Sequence, residues 1–120
     1  GVLLIGHSGG GALAMLLAQR RTDVLAVVTL AGNLDTGAWA ARHDYTPLSG
    51  SLDPADQPPL AGGIRQLHLV GARDEVIPPA TLESALAGRP RAELRVIADA
   101  DHTCCWRDLW PAVLAELGAE

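Results

Sequence analysis

The sequence predicts an α/β fold built on a parallel sheet with flanking helices. Three observations predict it: four short runs rich in apolar residues occur along the chain, helix-like stretches separate them, and the first run is apolar throughout. Continuous apolar runs are typical of parallel strands that helices cover on both faces, and alternation of strands with helices indicates parallel pairing. With 120 residues and a hydrophobic content of 48%, the chain has room for one domain at most and enough apolar side chains for a core.

The predicted elements follow one another closely. Strands are predicted over residues 2–6, 24–31, 65–71 and 93–98. Helices are predicted over residues 9–20, 79–86 and 103–118, with a further short helix over 37–42. The first helix is apolar nearly all round, which indicates deep burial. The helix over 79–86 has proline in its first turn, as helices tolerate, whereas Pro111 is expected to distort the start of the last helix.

Residues 33–63 interrupt this alternation of strands and helices. The segment is rich in glycine and proline and shows no sustained hydrophobic periodicity. It is too long for an ordinary connection between a strand and the next element, so we interpret it as a functional insertion.

A glycine-rich turn, Gly6-His7-Ser8-Gly9-Gly10, follows the first strand directly and opens the first helix. It fits the pattern G-x-S-x-G, in which a serine occupies a sharp, strained turn. The turn leaves little room two residues from the serine, so glycine is expected to be required on both sides. A phosphate-binding loop is the alternative, but the chain has no lysine and lacks the G-x-G-x-x-G spacing.

A nucleophilic serine requires a base, and the base requires an acid that orients it. Asp74 follows the third predicted strand within the run GARDEVIP, and His102 follows the fourth. Both therefore lie at the carboxyl ends of parallel strands, the edge at which ligands bind open α/β sheets. An ordinary turn aspartate and a helix-capping histidine are the alternatives for these two residues.

Other acidic and histidine residues are candidates for the same roles. Four further carboxylates lie near the predicted site, at Glu75, Asp35, Asp99 and Asp101. The first two are rival acids, whereas the last two adjoin the histidine in sequence, where a side chain rarely reaches the neighbouring ring. His43 and His68 have no partner pattern, and His68 is expected to face a helix. The four histidines lack metal-ligand spacing, so no metal is expected.

With these residues in this order, the chain resembles the C-terminal half of the α/β-hydrolase family, over nearly all of its length. The resemblance rests on the turn around Ser8, the acid loop G-x-x-D-x-x-[IV]-P around Asp74 and the histidine loop. It implies that Ser8 is a nucleophile, that His102 is general base and then acid, and that Asp74 fixes the imidazole tautomer. It also implies an oxyanion donor at the backbone N–H of Gly9. Residues 1–120 would then be part of one domain, whose N-terminal half carries a second donor.

The resemblance also implies a substrate pocket. The family places its cap where residues 33–63 lie, so this segment is expected to be a cap-like insertion. Candidate pocket residues are His7, Leu34, Trp39, Tyr45, Leu48 and Val76. Local packing of a proline-rich loop is the alternative for the residues within the insertion, and packing is the alternative for His7. No cofactor is expected.

The function that these residues favour is hydrolysis of carboxylic esters of small or medium acyl groups. An alternative is acyl transfer, or cleavage of thioesters or peptides with the same triad. Neither the fold nor the triad determines which group accepts the acyl moiety. A non-catalytic binding fragment is the third possibility. The net charge is −5 and the nine basic residues are scattered arginines, which excludes an extended nucleic-acid surface. No apolar run reaches the roughly 18 residues of a membrane span.

Two further expectations come from composition. The lysine-free chain, rich in alanine, glycine and arginine, favours a bacterial source, with cytoplasm and cell envelope both open. Cys104 and Cys105 are adjacent, and neighbouring cysteines seldom satisfy disulfide geometry. We therefore expect two partly buried thiols, or one that pairs with a cysteine outside this sequence.

Overall fold

The computed structural model describes residues 1–118. Its four strands are β1 (Val2–His7), β2 (Val24–Leu30), β3 (Arg65–Gly71) and β4 (Ala92–Ile97). They form one sheet in the order β1-β2-β3-β4, and each neighbouring pair is parallel. The predicted parallel α/β sheet, with its strands in chain order, is confirmed.

Helices cover the sheet on both faces. They are α1 (Gly9–Ala18), α2 (Thr36–Arg42), α3 (Pro79–Leu86) and α4 (Trp106–Glu116), with a short 3-10 helix at Pro54–Asp56. Side chains of α1 and α3 share one apolar cluster with Val27 and Val70. On the opposite face, Val113 of α4 packs against Val28, Leu67 and Leu69. Among residues 1–118, no helix is both long and apolar enough to cross a bilayer.

The last helix begins later than predicted. It starts at Trp106 instead of residue 103 and continues past Pro111. The preceding residue, Cys105, has a left-handed backbone with φ 86° and is joined to Cys104 in a disulfide. The expectation that the two cysteines do not bond each other is therefore wrong. The left-handed turn brings the two neighbouring side chains to the same side of the chain, which neither a helix nor a strand does.

The first helix is buried on one face only, which corrects the prediction of deep burial all round. Ala14, Met15 and Ala18 face the sheet, whereas Leu13 and Leu17 are 68% and 44% exposed. β1 lies at an edge of the sheet, and its Ile5 is 44% exposed. The described residues therefore present an unpaired strand edge beside an apolar helix surface.

This exposed edge predicts self-association of residues 1–120 when they are prepared alone. An unpaired apolar edge strand is a template for pairing with another chain, and a contiguous apolar patch beside it adds a contact surface. We expect size-exclusion chromatography to show dimers or larger species. Lysine at Leu13 and Leu17 should reduce the association. A monomer with a sharp cooperative melt would contradict this prediction.

His68 lies within the core. Its Nε2 donates to Oε1 of Gln66 over 3.2 Å, and its Nδ1 accepts from the hydroxyl of Thr29 over 2.7 Å. By strand alternation His68 shares the face of Val70, which α1 and α3 cover, so it faces the helix layer as expected. Burial, together with the charge of Arg89, lowers the pKa of His68 to about 4. The imidazole is therefore a neutral, hydrogen-bonded core group.

The depressed pKa of His68 predicts that the protein loses stability in mild acid. The unfolded histidine takes up a proton near pH 6.5, whereas the folded one stays neutral down to about 4. The unfolded state thus binds more protons in this window, and the free energy of unfolding falls as the pH falls. The loss should approach about 3 kcal/mol near pH 4. Urea unfolding across this range measures it, and His68→Gln, which keeps hydrogen-bonding groups without titrating, should reduce the slope. An equal slope in both proteins would contradict the assignment.

Candidate active site

The site begins at the turn between β1 and α1. Ser8 has φ 55° and ψ −119°, a region that residues with a side chain rarely adopt. Its backbone N–H donates to the carbonyl of Leu30, and its carbonyl accepts from the N–H groups of Gly11 and Asn33, each over 3.0 Å. Such a conformation persists only where several neighbouring contacts hold it in place. The three hydrogen bonds tie Ser8 to the end of β2, to the segment that follows β2 and to α1.

The glycines of the turn do not all serve the same purpose. A β-carbon on Gly6 would collide with the backbone of Gly10 and Gly11, which explains the glycine there. A β-carbon on Gly10 would meet no atom within 4 Å, so the expected steric need at that position is wrong. The second tight approach is at Gly11, where a β-carbon would lie 2.8 Å from the Cα of Gly32. Glycine is therefore required where α1 crosses the end of β2.

The structure brings together the three residues that the sequence singled out. Nδ1 of His102 lies 2.9 Å from Oδ2 of Asp74, and Nε2 lies 3.0 Å from Oγ of Ser8. With the imidazole proton on Nδ1, His102 donates to the carboxylate and accepts from the hydroxyl. The other carboxylate oxygen accepts from the backbone N–H groups of Val76 and Ile77, over 2.9 and 2.7 Å. The side chain of Asp74 has no exposed surface, and that of His102 is 18% exposed.

Backbone contacts fasten the acid loop to the histidine loop. The N–H of Ala72 donates to the carbonyl of Ile97 over 2.9 Å, and that of Arg73 donates to the carbonyl of Ala100 over 3.1 Å. A β-carbon on Gly71 would collide with the backbone of Ala100, so this glycine permits the close approach. The separation between the carboxylate and the imidazole is therefore set by paired main-chain segments.

The other acids near the site bind different partners or lie at the surface. Asp35 caps α2, where its carboxylate accepts from a backbone N–H of the first turn over 2.9 Å. Asp101 accepts from the N–H groups of Cys104 and Thr103 over 2.7 and 2.9 Å, and these bonds hold its pKa below the usual range. Glu75 is exposed at the surface. Within residues 1–118, no three His, Cys, Asp or Glu side chains converge as metal ligands do.

His7 contacts the site in a way that sequence reasoning missed. Its Nε2 donates to the carbonyl oxygen of His102 over 2.7 Å, and the two ring centroids lie 5.1 Å apart. The indole N–H of Trp106 donates to the same carbonyl over 3.3 Å. His7 therefore supports the histidine loop from the strand that precedes Ser8. No spacing rule could have found this contact, because it joins residues 95 positions apart.

The sequence predicts no partner for His43, and the structure provides one. Its Nε2 donates to the carbonyl of Val76 over 2.8 Å, which ties segment 33–63 to the acid loop. The ring of Tyr45 stacks on His43 at 5.4 Å and lies 5.2 Å from Trp39. Leu34, by contrast, is 3% exposed and belongs to the core cluster beneath.

Two hollows adjoin the site. The first is a mainly apolar groove of about 340 Å³ between α1 and segment 33–63, lined by Gly9, Ala12, Leu13, Leu16, Asn33, Thr36, Leu48, Ser51 and Leu52. The second, also about 340 Å³, lies against the imidazole and is lined by Arg73, Glu75, Val76, Asp101, His102 and Thr103. No residue that the structure describes accepts a hydrogen bond from the backbone N–H of Gly9. That donor is thus unused beside the Ser8 hydroxyl.

Comparisons with solved structures agree on the fold. No protein-family model and no curated protein matches the chain. A protein described as a dienelactone hydrolase from Klebsiella pneumoniae is 26% identical, with a TM-score of 0.70 over 98% of this chain and 52% of that one. An α/β serine hydrolase homologue from Coxiella burnetii is 17% identical, with a TM-score of 0.66 over 96% and 46%. An acetyl xylan esterase from Thermoanaerobacterium is 22% identical, with a TM-score of 0.67 over 97% and 45%.

The chain thus spans about half the length of these proteins while matching along nearly all of its own. The similarity includes the parallel sheet in chain order and the helices on both faces. The chain therefore has the α/β-hydrolase fold and corresponds to the C-terminal half of that fold.

Proposed function

We propose that the protein is a serine hydrolase that cleaves carboxylic esters through an acyl-enzyme. The observation that carries the proposal is the continuous chain of hydrogen bonds from buried Asp74 through His102 to the hydroxyl of strained Ser8. A serine is a weak nucleophile unless a base accepts its proton, and this arrangement supplies the base together with the group that orients it.

In the proposed reaction, Oγ of Ser8 attacks the acyl carbonyl while Nε2 of His102 takes the hydroxyl proton. The imidazolium then protonates the leaving alcohol, and an ester forms on Ser8. Water attacks that ester with His102 again as base, which releases the acid and the free serine. Asp74 keeps the imidazole proton on Nδ1, so that Nε2 can accept.

Negative charge develops on the acyl oxygen in the transition state, and oriented N–H donors stabilise it. The backbone N–H of Gly9, at the start of α1, is the proposed donor within this chain. It lies at the positive end of a helix dipole, which also favours an anion. The family resemblance implies a second donor from a loop outside residues 1–120.

The two hollows suggest how an ester would lie. The acyl group would occupy the apolar groove beside Gly9, where Leu48 and Leu52 of segment 33–63 face Leu13 and Leu16 of α1. The alcohol would lie in the more polar hollow beside His102. Segment 33–63 would then act as the cap-like insertion, with His43 anchoring it to the acid loop.

A fluorophosphonate probe and a substrate panel test this function. We expect the probe to attach to Ser8, and p-nitrophenyl esters of short and medium acyl chains to be cleaved. Matched thioesters and aminoacyl anilides should be cleaved much more slowly. Faster anilide or thioester cleavage would replace the esterase with a peptidase or thioesterase. Absence of both labelling and turnover would favour a non-catalytic binding role.

A further inference from the structure

We propose that the disulfide between Cys104 and Cys105 is a redox-sensitive site that controls the position of His102. Reduction by a dithiol would let α4 extend toward the histidine and move the imidazole away from Ser8. Both cysteines are exposed, so a reductant can reach them. They occupy the two positions immediately before α4, two and three residues after the histidine.

The disulfide is incompatible with a helix at the residues it joins. Successive side chains of an α-helix point about 100° apart around the axis, so neighbouring sulfurs cannot bond without a change in the backbone. The change here is the left-handed Cys105, whose φ of 86° ends the helical path just before Trp106. Residues with a β-carbon avoid this region unless something requires it. In this proposal the disulfide holds Cys105 in that region, and reduction releases it.

The chain before the disulfide is already arranged to start a helix. The carboxylate of Asp101 accepts from the backbone N–H groups two and three residues on, at Thr103 and Cys104. This is the bonding pattern of a helix N-cap residue, although the helix itself begins only at Trp106. The sequence pattern also predicts a helix from residue 103. A non-helical stretch, residues 102–105, therefore separates a capped start from the helix that would continue it, and it ends at the left-handed Cys105.

Extension of α4 would act on His102 through the main chain. Val113, Trp106 and Trp110 pack α4 against the sheet, so a rotation at Cys105 shifts the preceding loop more than the helix. The carbonyl of His102 now accepts from the side chains of His7 and Trp106. In an extended helix the same carbonyl would accept the backbone N–H of Trp106, four residues on. The side-chain contacts that steady the histidine loop would then compete with a helical bond.

The chemistry is a thiol–disulfide exchange with a dithiol as reductant. One thiolate of the dithiol attacks a cysteine sulfur, the bond between Cys104 and Cys105 breaks, and a mixed disulfide forms. The second thiol of the dithiol then attacks the mixed disulfide and displaces the protein cysteine as a thiolate. The dithiol therefore leaves as its own disulfide. The two cysteines gain two electrons and two protons and become thiols. The effect on catalytic rate rests on the proposed function, whereas the helix extension does not.

The test compares the oxidised protein with the protein reduced by dithiothreitol, with intact mass and thiol alkylation reporting the redox state. We expect reduction to slow fluorophosphonate labelling of Ser8 by roughly tenfold or more, since a displacement of about 1 Å at an active site costs that much or more. Removal of the reductant and reoxidation should restore the rate. Amide hydrogen exchange should slow at Cys105, Trp106 and Arg107, the N–H groups that an extended helix would bond.

Two double variants separate the turn from the disulfide. Cys104→Ser with Cys105→Gly removes the bond but allows the left-handed backbone. Its Ser8 should therefore react with the fluorophosphonate at close to the rate of the oxidised protein, and the reductant should not change that rate. Cys104→Ser with Cys105→Ser should behave like the reduced protein. Free thiols in the untreated protein would overturn the proposal, as would unchanged labelling and exchange after complete reduction. If neither form labels, the esterase proposal fails, and hydrogen exchange alone still decides whether α4 extends.

Discussion

Replacement of Ser8 with alanine in the full-length protein is expected to lower ester hydrolysis by a factor on the order of 10⁴ or more. The variant lacks only the hydroxyl group, whose oxygen, Oγ, lies 3.0 Å from Nε2 of His102. Without it no acyl-enzyme can form, and the histidine and the Gly9 donor can act only on a water that nothing positions. Initial rates on p-nitrophenyl butyrate, with the variant prepared free of wild-type enzyme, measure the loss.

The matched control is Ser84→Ala, which removes a serine hydroxyl from the exposed part of α3. That variant should hydrolyse the ester at the wild-type rate and still react with the fluorophosphonate probe. The Ser8→Ala protein should unfold at nearly the wild-type temperature, because one half-buried hydroxyl contributes little to the core. Turnover by Ser8→Ala at the wild-type rate would rule out the proposed mechanism.

The regular elements were predictable because their signals are local. β3 and α3 occupy the predicted residues 65–71 and 79–86. An apolar run bounded by turn residues defines the strand, and proline at the first helical position marks where the helix begins. The strand order was predictable as well, since short crossovers place successive parallel strands side by side.

Properties that depend on contacts between distant residues could not be predicted in this way. The exposure of Leu13 on α1 depends on what packs on the helix, which hydropathy does not state. The need for glycine at Gly11 instead of Gly10 depends on how closely Gly32 approaches from the next strand. The late start of α4 coincides with a left-handed backbone at Cys105 and a disulfide to Cys104, neither of which the hydropathy pattern indicates.

The same distinction between local signals and contacts of distant residues applies to the candidate site. The convergence of Ser8, Asp74 and His102 follows from their places after three parallel strands, whose carboxyl ends meet at one edge of the sheet. The contacts of His7 and His43 depend on loop conformation and on single carbonyl groups, for which no residue pattern exists. The catalytic roles of Ser8, Asp74 and His102 stay predictions.

The second large effect is expected from Asp74→Asn, which should lower kcat/KM for ester hydrolysis by roughly 10³- to 10⁴-fold. The carboxylate now accepts the Nδ1 proton of His102 and keeps Nε2 free to take the proton of Ser8. An amide at this position can present its N–H₂ group to Nδ1 instead. The imidazole would then carry its proton on Nε2, which could no longer act as the base. The amide would also keep an oxygen for the N–H groups of Val76 and Ile77, so the loop should stay folded.

The control variants are Asp35→Asn and Glu75→Gln, which neutralise the two rival acids. Glu75 is exposed, and Asp35 is engaged at the start of α2, so neither change should alter the rate by more than about twofold when assayed well below the unfolding temperature. Asparagine caps a helix about as well as aspartate does, so Asp35→Asn should melt close to the wild-type temperature while remaining active. If Asp35→Asn or Glu75→Gln abolished hydrolysis while Asp74→Asn did not, the orienting acid would have to be reassigned, with Ser8 and His102 keeping their proposed roles. Fluorophosphonate labelling should follow the same ranking, because formation of the covalent adduct needs the same proton transfer from Ser8 to His102.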